Sequence, residues 1–457
     1  MKRFRLPQTR LIPHKRPLFV LTTVSFLLLA SGCGGKVNSA QPVTGATPSA
    51  ASAPATTAPA TPAATAEAIQ ATPEPAATPA PAAADGSSQQ DDAIAGTLAG
   101  MTLEEKIGQM LLVGISGKTA GAEAQKMIAE DKVGGIILYS SNVGSLKELV
   151  TLTNDLKKSN NGNPAPLFMS IDQEGGKVSR LPDEYAAFPS NAAVGQGGNA
   201  AAAGTMGGLL AKAVKSSGFN MDFAPVLDIN SNPKNPVIGS RSFGNNAELI
   251  SRLGIAEMKG LEEEGVIPVV KHYPGHGDTS VDSHLELPVI GKSAAELAKL
   301  EWLPFQAAIQ EKADAVMVAH ILFPKLDPDR PASLSKVIIG QQLRGQMGYE
   351  GVVVTDDLTM GAIVKNYSLP AAAVDTVLAG SDILLVAHEY KNEQAVRAAL
   401  LKSVKDGTIP ESRIDESVYR ILALKAKYQL SDDAVPVPDL TGLNQDIIAW
   451  RKPFMQK

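Results

Sequence analysis

Eight apolar runs, almost continuous in Val, Ile, Leu and Met, are the feature that most constrains the fold of this 457-residue chain. Strands that are covered on both faces need such runs, whereas strands with one wet face alternate apolar and polar residues. The pattern therefore predicts a buried parallel sheet. The runs lie at residues 107–115, 133–140, 166–172, 221–229, 266–272, 315–321, 351–357 and 382–388.

Segments with helical periodicity separate most of these runs. Residues 145–159 and 293–310, for example, repeat apolar residues every three or four positions. Eight strands alternating with helices are the number that closes a (β/α)8 barrel of the TIM type, so we predict an α/β fold with a single catalytic barrel domain. A doubly wound open sheet remains the alternative, because a repeat pattern does not show closure.

Polar residues at the carboxyl ends of the predicted strands favour the barrel. The ends of parallel barrel strands meet at one mouth, where active sites of this fold lie. A buried strand has no structural need to end in a charge. The residues in question are Asp172, Asp228, Lys271, His272, His320, Asp356 and His388.

The N-terminal 33 residues have the composition of a secretory signal. Basic residues and no acid precede an apolar run at 18–30, and Ser31-Gly32-Cys33 follows. This stretch resembles a bacterial lipoprotein signal, although Ala30 stands where Leu is usual. The resemblance implies lipidation of Cys33 and an extracytoplasmic chain anchored to the cell membrane. Simple signal-peptidase cleavage and a retained N-terminal anchor are the alternatives.

The remaining chain divides by composition. Residues 34–90 are rich in Ala, Pro and Thr, which predicts a disordered tether or a glycosylated stalk. We assign residues 91–430 to the barrel domain and 431–457 to a C-terminal tail without strong periodicity.

A net charge of −5 with no dense basic face argues against nucleic acid as a partner. The single cysteine excludes an intramolecular disulfide framework and a Cys-rich metal site.

The densest chemical signal is KHYPGHGDTSVDSH, residues 271–284. Its glycines and proline exclude a helix, and Asp282 and His284 are spaced to share one side of an extended segment. A carboxylate beside an imidazole fixes its tautomer, as a general acid/base requires. Two other interpretations are histidines that bond only to backbone groups, and a zinc site formed by His272, His276, His284 and the aspartates of the motif.

Three further motifs carry polar groups. GVVVTDDLTM (351–360) ends a predicted strand in Asp356 and Asp357, and the second acid fits a helix N-cap equally well. SIDQEGGKVSRL (170–181) presents Asp172 and Arg180, and VIGSRSFG (237–244) presents Arg241. Carboxylates and cations together suit the hydroxyl groups of a sugar.

Together these motifs resemble the landmarks of glycoside hydrolase family 3, over about residues 91–425, and the Asp-x-His pair resembles its β-N-acetylglucosaminidase branch. The resemblance implies Asp356 as nucleophile, His284 as acid/base and Asp282 as its partner. It implies sugar-binding roles for another set of positions, and no cofactor or metal. These positions are Asp172, Arg180, Arg241, Lys271 and His272.

The expected activity is a retaining exo-β-N-acetylglucosaminidase that acts through a covalent glycosyl–Asp intermediate. We expect a small saccharide or muropeptide as substrate, the membrane as a partner through the lipid anchor, and a monomeric chain. A neutral imidazole as base would also tolerate phosphate as acceptor. The alternatives are a β-glucosidase of the same family, a substrate-assisted mechanism, a zinc-dependent hydrolase and a non-catalytic sugar-binding lipoprotein.

Overall fold

A computed structural model describes residues 86–455, and eight parallel strands form the centre of this part of the chain. The sheet order is β7-β6-β5-β4-β3-β2-β1-β8, with every pairing parallel. The strands are β1 (Leu111–Gly114), β2 (Gly135–Leu138), β3 (Phe168–Ile171), β4 (Met221–Asp222), β5 (Ile267–Tyr273), β6 (Ala315–Val318), β7 (Val352–Thr355) and β8 (Leu384–Val386).

Contacts between β7 and β8 close the sheet into a barrel. Val354 and Ile383 form a parallel bridge, and the Thr355 amide donates to the Ile383 carbonyl at 3.0 Å. The Leu385 amide donates to Thr355 Oγ1, also at 3.0 Å. The prediction of a (β/α)8 barrel is confirmed, and the open-sheet alternative is wrong.

Helices surround the barrel. They are α1 (Gly86–Gly100), α2 (Leu103–Gln109), α3 (Ala122–Ala129), α4 (Leu146–Ser159), α5 (Asn191–Gly197), α6 (Ala200–Ser216), α7 (Ala247–Glu263), α8 (Ala294–Leu297), α9 (Leu303–Gln310), α10 (Gly361–Val364), α11 (Leu369–Ala379), α12 (Tyr390–Lys405), α13 (Glu411–Lys427) and α14 (Thr441–Arg451). A π-helical segment, Lys336–Gln346, lies between β6 and β7. No helix within residues 86–455 is long and apolar enough to cross a lipid bilayer.

Local sequence explains where several elements begin and end. Helix α4 starts at a capping box, in which Ser145 and Glu148 each bond the other's backbone amide, and its apolar stripe is buried. The predicted helix at 293–310 is split into α8 and α9, because Pro304 cannot continue a helix from the preceding turn. Strand β4 is short, since Pro225 has no N–H to offer the ladder.

The C-terminal tail contains a helix that its sequence pattern does not predict. Helix α14 packs on the barrel domain through Trp450, whose ring centroid is 6.3 Å from that of Phe188 and 5.2 Å from that of Phe454. Asn444 Oδ1 also accepts a hydrogen bond from the Ala186 amide at 2.8 Å. The predicted signal, Cys33 and almost all of the tether lie outside the described residues.

Candidate active site

A cavity of about 320 Å³ opens at the carboxyl ends of the strands. It brings together all eight predicted site residues, seven on its wall and Asp282 directly behind His284. A larger depression of about 860 Å³, beside α13 and the amino end of β7, contains none of them. The seven wall residues are Asp172, Arg180, Arg241, Lys271, His272, His284 and Asp356.

An ion-paired cluster at the carboxyl ends of β3 and β5 lines part of the cavity. Lys271 Nζ donates to Asp172 Oδ1 at 2.5 Å and lies 2.7 Å from Glu174 Oε1. Arg241 donates two hydrogen bonds to the carboxylate of the same Glu174, from Nε at 2.8 Å and from Nη2 at 2.7 Å. Bidentate pairing of this kind fixes both position and orientation of a guanidinium. The cluster therefore presents two cations, Lys271 and Arg241, and the Asp172 carboxylate to the cavity.

Electrostatics keep this cluster charged despite its burial. Burial raises the pKa of Glu174, but the neighbouring Arg241 and Lys271 lower it by more, to far below its usual range. Burial lowers the pKa of Lys271, but Asp172 and Glu174 raise it by more. The charged forms of Glu174 and Lys271 are thus stabilised by their ion-pair partners rather than by water.

His272 is oriented from behind by a second buried acid. Its Nδ1 lies 2.6 Å from Asp228 Oδ2, which leaves Nε2 directed towards Arg241 Nη2 at 3.3 Å. Burial raises the pKa of Asp228, but His272 and the amide of His276 lower it by more. A carboxylate on one ring nitrogen fixes the tautomer, so His272 presents a defined atom to the cavity.

Asp356 follows β7 directly and lies partly exposed in the cavity wall. One of its oxygens accepts the Asp357 amide at 2.8 Å. Burial raises the pKa of Asp356, but His320, His272 and that amide lower it by more. The carboxylate is therefore ionised near neutral pH, as a nucleophile must be.

Asp357 supports the loop after β7 from behind. Its Oδ1 accepts bonds from the Thr359 amide at 2.9 Å and from the Ala387 amide at 3.0 Å, so it joins the loop after β7 to the end of β8. Helix α10 begins at Gly361 with Met360 in the N-cap position, so the N-cap interpretation of Asp357 is wrong.

Asp282 and His284 form a hydrogen-bonded pair on the loop after β5. Asp282 Oδ1 is 2.8 Å from His284 Nδ1 and also accepts the His284 amide at 2.9 Å. The His284 side chain is 64% exposed, so Nε2 is accessible to a substrate. Burial raises the pKa of Asp282, and its bonds to His284 lower it by more. The pair has the geometry that proton transfer at a leaving oxygen requires.

The histidines of this loop have separate partners. His272 bonds to Asp228, His284 to Asp282, and His276 lies between Thr279 and Ser283. Within residues 86–455, no group of three or more His, Cys, Asp or Glu side chains has a metal-binding arrangement. The loop's geometry matches proton transfer better than zinc binding.

The structure adds four residues to the predicted site. Glu174 holds Arg241 and Lys271, and Asp228 holds His272. Position at a predicted strand end was the sequence signal for Asp228 and His388, whereas Glu174 lies within the SIDQEGGKVSRL motif. Tyr139 and His388 stack at the cavity wall with ring centroids 5.6 Å apart. Burial and the charges of nearby carboxylates hold the pKa of Tyr139 well above its usual value, so the phenol remains a hydrogen-bond donor.

Residues 102–424 match the model of the glycosyl hydrolase family 3 N-terminal domain. The chain belongs to glycosyl hydrolase family 3. The glycosyl hydrolase family 3 domain spans the whole barrel, from the first residues before α2 into α13, and therefore contains every group of the cavity described above.

Solved structures and curated sequences resemble this chain over most of its length. A family 3 β-N-acetylglucosaminidase from Paenibacillus sp. str. FPU-7 is 42% identical with a TM-score of 0.71, over 77% of this chain and 69% of that one. Beta-hexosaminidase A of Pseudoalteromonas piscicida is 33% identical over 75% of this chain, which spans 64% of that protein's length. A beta-hexosaminidase of Xylella fastidiosa is 35% identical, over 63% of this chain and 86% of its own.

Proposed function

We propose that the protein is a retaining exo-β-N-acetylglucosaminidase. The observation that carries this proposal is the convergence of an ionised Asp356 and a hydrogen-bonded Asp282–His284 pair on one cavity lined with sugar-binding groups. The relatives named beta-hexosaminidase support N-acetylglucosamine rather than glucose as the preferred sugar.

The first chemical step forms a covalent intermediate. A carboxylate oxygen of Asp356 attacks the anomeric carbon and forms an ester bond, while the glycosidic C–O bond breaks. Protonated His284 gives its Nε2 proton to the leaving oxygen, and Asp282 stabilises the imidazolium at Nδ1. Lys271, Arg241 and Asp172 hold the sugar hydroxyls, so that the carbon lies within reach of the carboxylate.

The second step releases the sugar with its original anomeric configuration. Neutral His284 accepts a proton from water, whose oxygen attacks the anomeric carbon and displaces Asp356 as a carboxylate. Two displacements at one carbon restore the starting stereochemistry. Because the base is uncharged, an anionic acceptor such as phosphate meets no repulsion at this step.

Cavity size supports removal of a single terminal sugar. A volume of about 320 Å³ lies at the small end of the range for ligand pockets. Buried Lys271 and its partner Asp172 line this cavity and can bond to hydroxyl groups of a sugar within it. This arrangement favours an exo mode of action.

The N-terminal sequence supports an extracytoplasmic location and a natural substrate from the cell wall. The signal at 1–33 and the tether at 34–90 would place the barrel outside the membrane through lipidated Cys33. Small peptidoglycan fragments carry β-linked N-acetylglucosamine there. Incorporation of radiolabelled palmitate that disappears in Cys33→Ala tests the anchor, and an unlabelled wild-type protein would contradict it.

Hydrolysis of 4-nitrophenyl β-N-acetylglucosaminide by the full chain tests the activity, beside the matching glucoside, with and without chelator and inorganic phosphate. We expect chelator-insensitive activity on the first sugar. It should fall about 10³-fold or more in Asp356→Ala and about 10²-fold in His284→Ala, because each variant lacks a group that acts in the transition state. Preference for the glucoside would contradict the sugar assignment while keeping the family.

A mechanism-based 5-fluoro sugar tests the covalent intermediate. We expect mass spectrometry to find the sugar on Asp356 in wild-type protein and no label in Asp356→Ala. Activity without any labelling would favour the substrate-assisted mechanism, in which the substrate's own N-acetyl oxygen attacks.

A further inference from the structure

The loop that carries the acid/base pair is held at its base by a histidine outside the pair. His284 is exposed, and its side-chain partner is Asp282 on the same loop. The bond between them therefore sets the tautomer of His284 but not its distance from the nucleophile after β7. Contacts that hold the loop to the barrel must set that distance.

His276 makes such contacts and is itself buried, with 1% of its surface exposed. Its amide donates to Asp228 Oδ1 at 2.6 Å, and its carbonyl accepts from Asn235 Nδ2 at 2.8 Å. Asp228 and Asn235 belong to the segment after β4. The backbone of His276 is thus fixed to the barrel on the side of the sugar-binding residues.

The imidazole of His276 connects this fixed backbone to Ser283, the residue before His284. Its Nδ1 lies 2.9 Å from Thr279 Oγ1, and its Nε2 lies 3.1 Å from the buried Ser283 Oγ. Burial and the neighbouring His272 lower the pKa of His276 to about 4, so the ring is neutral at pH 7 and bonds as one donor and one acceptor.

Ser283 and His284 are also held from the opposite side. The Ala362 amide donates to the Ser283 carbonyl, and the Gly361 amide to the His284 carbonyl, both at 3.1 Å. These bonds come from α10, on the nucleophile's loop. Hydrogen bonds therefore hold the segment that carries His284 on two sides. Those from α10 lie on the nucleophile side, and that from His276 lies on the sugar-binding side.

We propose that His276 is a positioning residue, which sets the reach of His284 towards the leaving oxygen through its hydrogen bond to Ser283. This inference rests on the proposed function, because it takes His284 as the acid/base. Loss of the bond leaves the nucleophile and the sugar-binding cluster in place and weakens only proton donation.

A comparison of leaving groups isolates that step. A dinitrophenolate leaves without a proton, whereas the alkoxide of N,N′-diacetylchitobiose needs one, so a misplaced acid affects only the second substrate. The measurement is kcat/KM, which reports the step in which the glycosidic bond breaks. For Ser283→Ala we expect a loss of about 10-fold on chitobiose and less than about 2-fold on the dinitrophenyl glycoside.

Two substitutions of His276 test the same bond from the other side. Gln places an amide near the position of Nε2 and keeps a partner for Ser283, whereas Asn reaches only the position of Nδ1. We expect His276→Gln to retain more chitobiose activity than His276→Asn. If either variant fails to fold, Ser283→Ala still decides the question.

A matched control is Ser333→Ala, which removes a second buried His–Ser bond, 2.6 Å from Ser333 Oγ to His320 Nδ1. Any loss there should be equal on both substrates. Equal losses in Ser283→Ala, or none, would overturn the positioning role of His276. If His284→Ala itself shows no dependence on leaving group, the acid/base assignment fails and the inference with it.

Discussion

Glu174→Gln tests the buried ion-paired cluster in both stability and catalysis. The carboxylate accepts two bonds from Arg241 and one from Lys271, and its side chain is 1% exposed. Neutralising one member of a buried ion-paired cluster costs about 3 kcal/mol or more, because the partners keep their charge without compensation. In a domain of this size, that corresponds to a fall of roughly 5 °C in Tm.

Catalysis should suffer as well, since both cations face the sugar. Loss of orientation at two charged hydrogen bonds, at about 1.5 kcal/mol each, corresponds to a decrease of about 100-fold in kcat/KM. Thermal unfolding followed by circular dichroism, and hydrolysis of 4-nitrophenyl β-N-acetylglucosaminide, measure the two effects at pH 7.

Glu104→Gln is the matched control. Glu104 forms a solvent-exposed pair with Lys405, at 3.5 Å, and its loss should cost less than about 0.5 kcal/mol with unchanged kinetics. If Glu174→Gln resembles this control in both Tm and kcat/KM, the idea that Glu174 holds the sugar-binding cations is refuted.

Two further substitutions test the loop packing and a buried charge. A Cβ at Gly361 would lie 2.6 Å from the Leu285 carbonyl oxygen and 2.7 Å from that of His284, so Gly361→Ala should displace the acid/base loop. We expect the Gly361→Ala protein to fold and its kcat to fall about 10²-fold. The control is Gly96→Ala, which has open space around the added Cβ and should retain full activity. Equal kinetics for the two variants would contradict the predicted clash. Lys425 is buried, and burial lowers its pKa to about 7, while the unfolded chain holds this proton up to about pH 10.5. The free energy of unfolding should therefore rise by roughly 2–4 kcal/mol between about pH 7 and pH 10. Urea titrations of Lys425→Met should show no such rise. An identical pH profile in both proteins would contradict a neutral buried lysine.

The strands were predictable because burial on both faces leaves a plain mark on a sequence. Each observed strand overlaps one of the eight apolar runs. The ends agree to within four residues, except that β4 ends at Asp222 whereas its run continues to residue 229. The first run was ambiguous, since Ile107 belongs to α2 and an apolar run alone does not distinguish a helix end from a strand start. Helix α14 was missed, because its contact with the barrel depends on Trp450 and few other apolar side chains.

The part of the candidate site that lies at strand ends or within the recognised motifs was predictable from the sequence. Position at the barrel mouth and resemblance together singled out Asp356, His284 and the residues predicted to bind sugar, which the structure brings into one cavity. Partners distant in sequence were not predictable. Arg241 lies 67 residues from Glu174, and only the fold brings the guanidinium to the carboxylate. The direction of the His276 ring depends in the same way on tertiary packing.

The pairing of β1 with β8 has a consequence for how the chain is made. Leu111 pairs with Leu384, so the first and last strands of the barrel are neighbours although most of the domain separates them in sequence. During synthesis, β1 keeps an unpaired edge until residues near 386 have emerged, and an open edge of a parallel sheet invites intermolecular pairing. A chain truncated before β8 should aggregate rather than form a smaller working enzyme. The β1 edge therefore stays without its β8 partner for almost the whole time that translation of the domain takes.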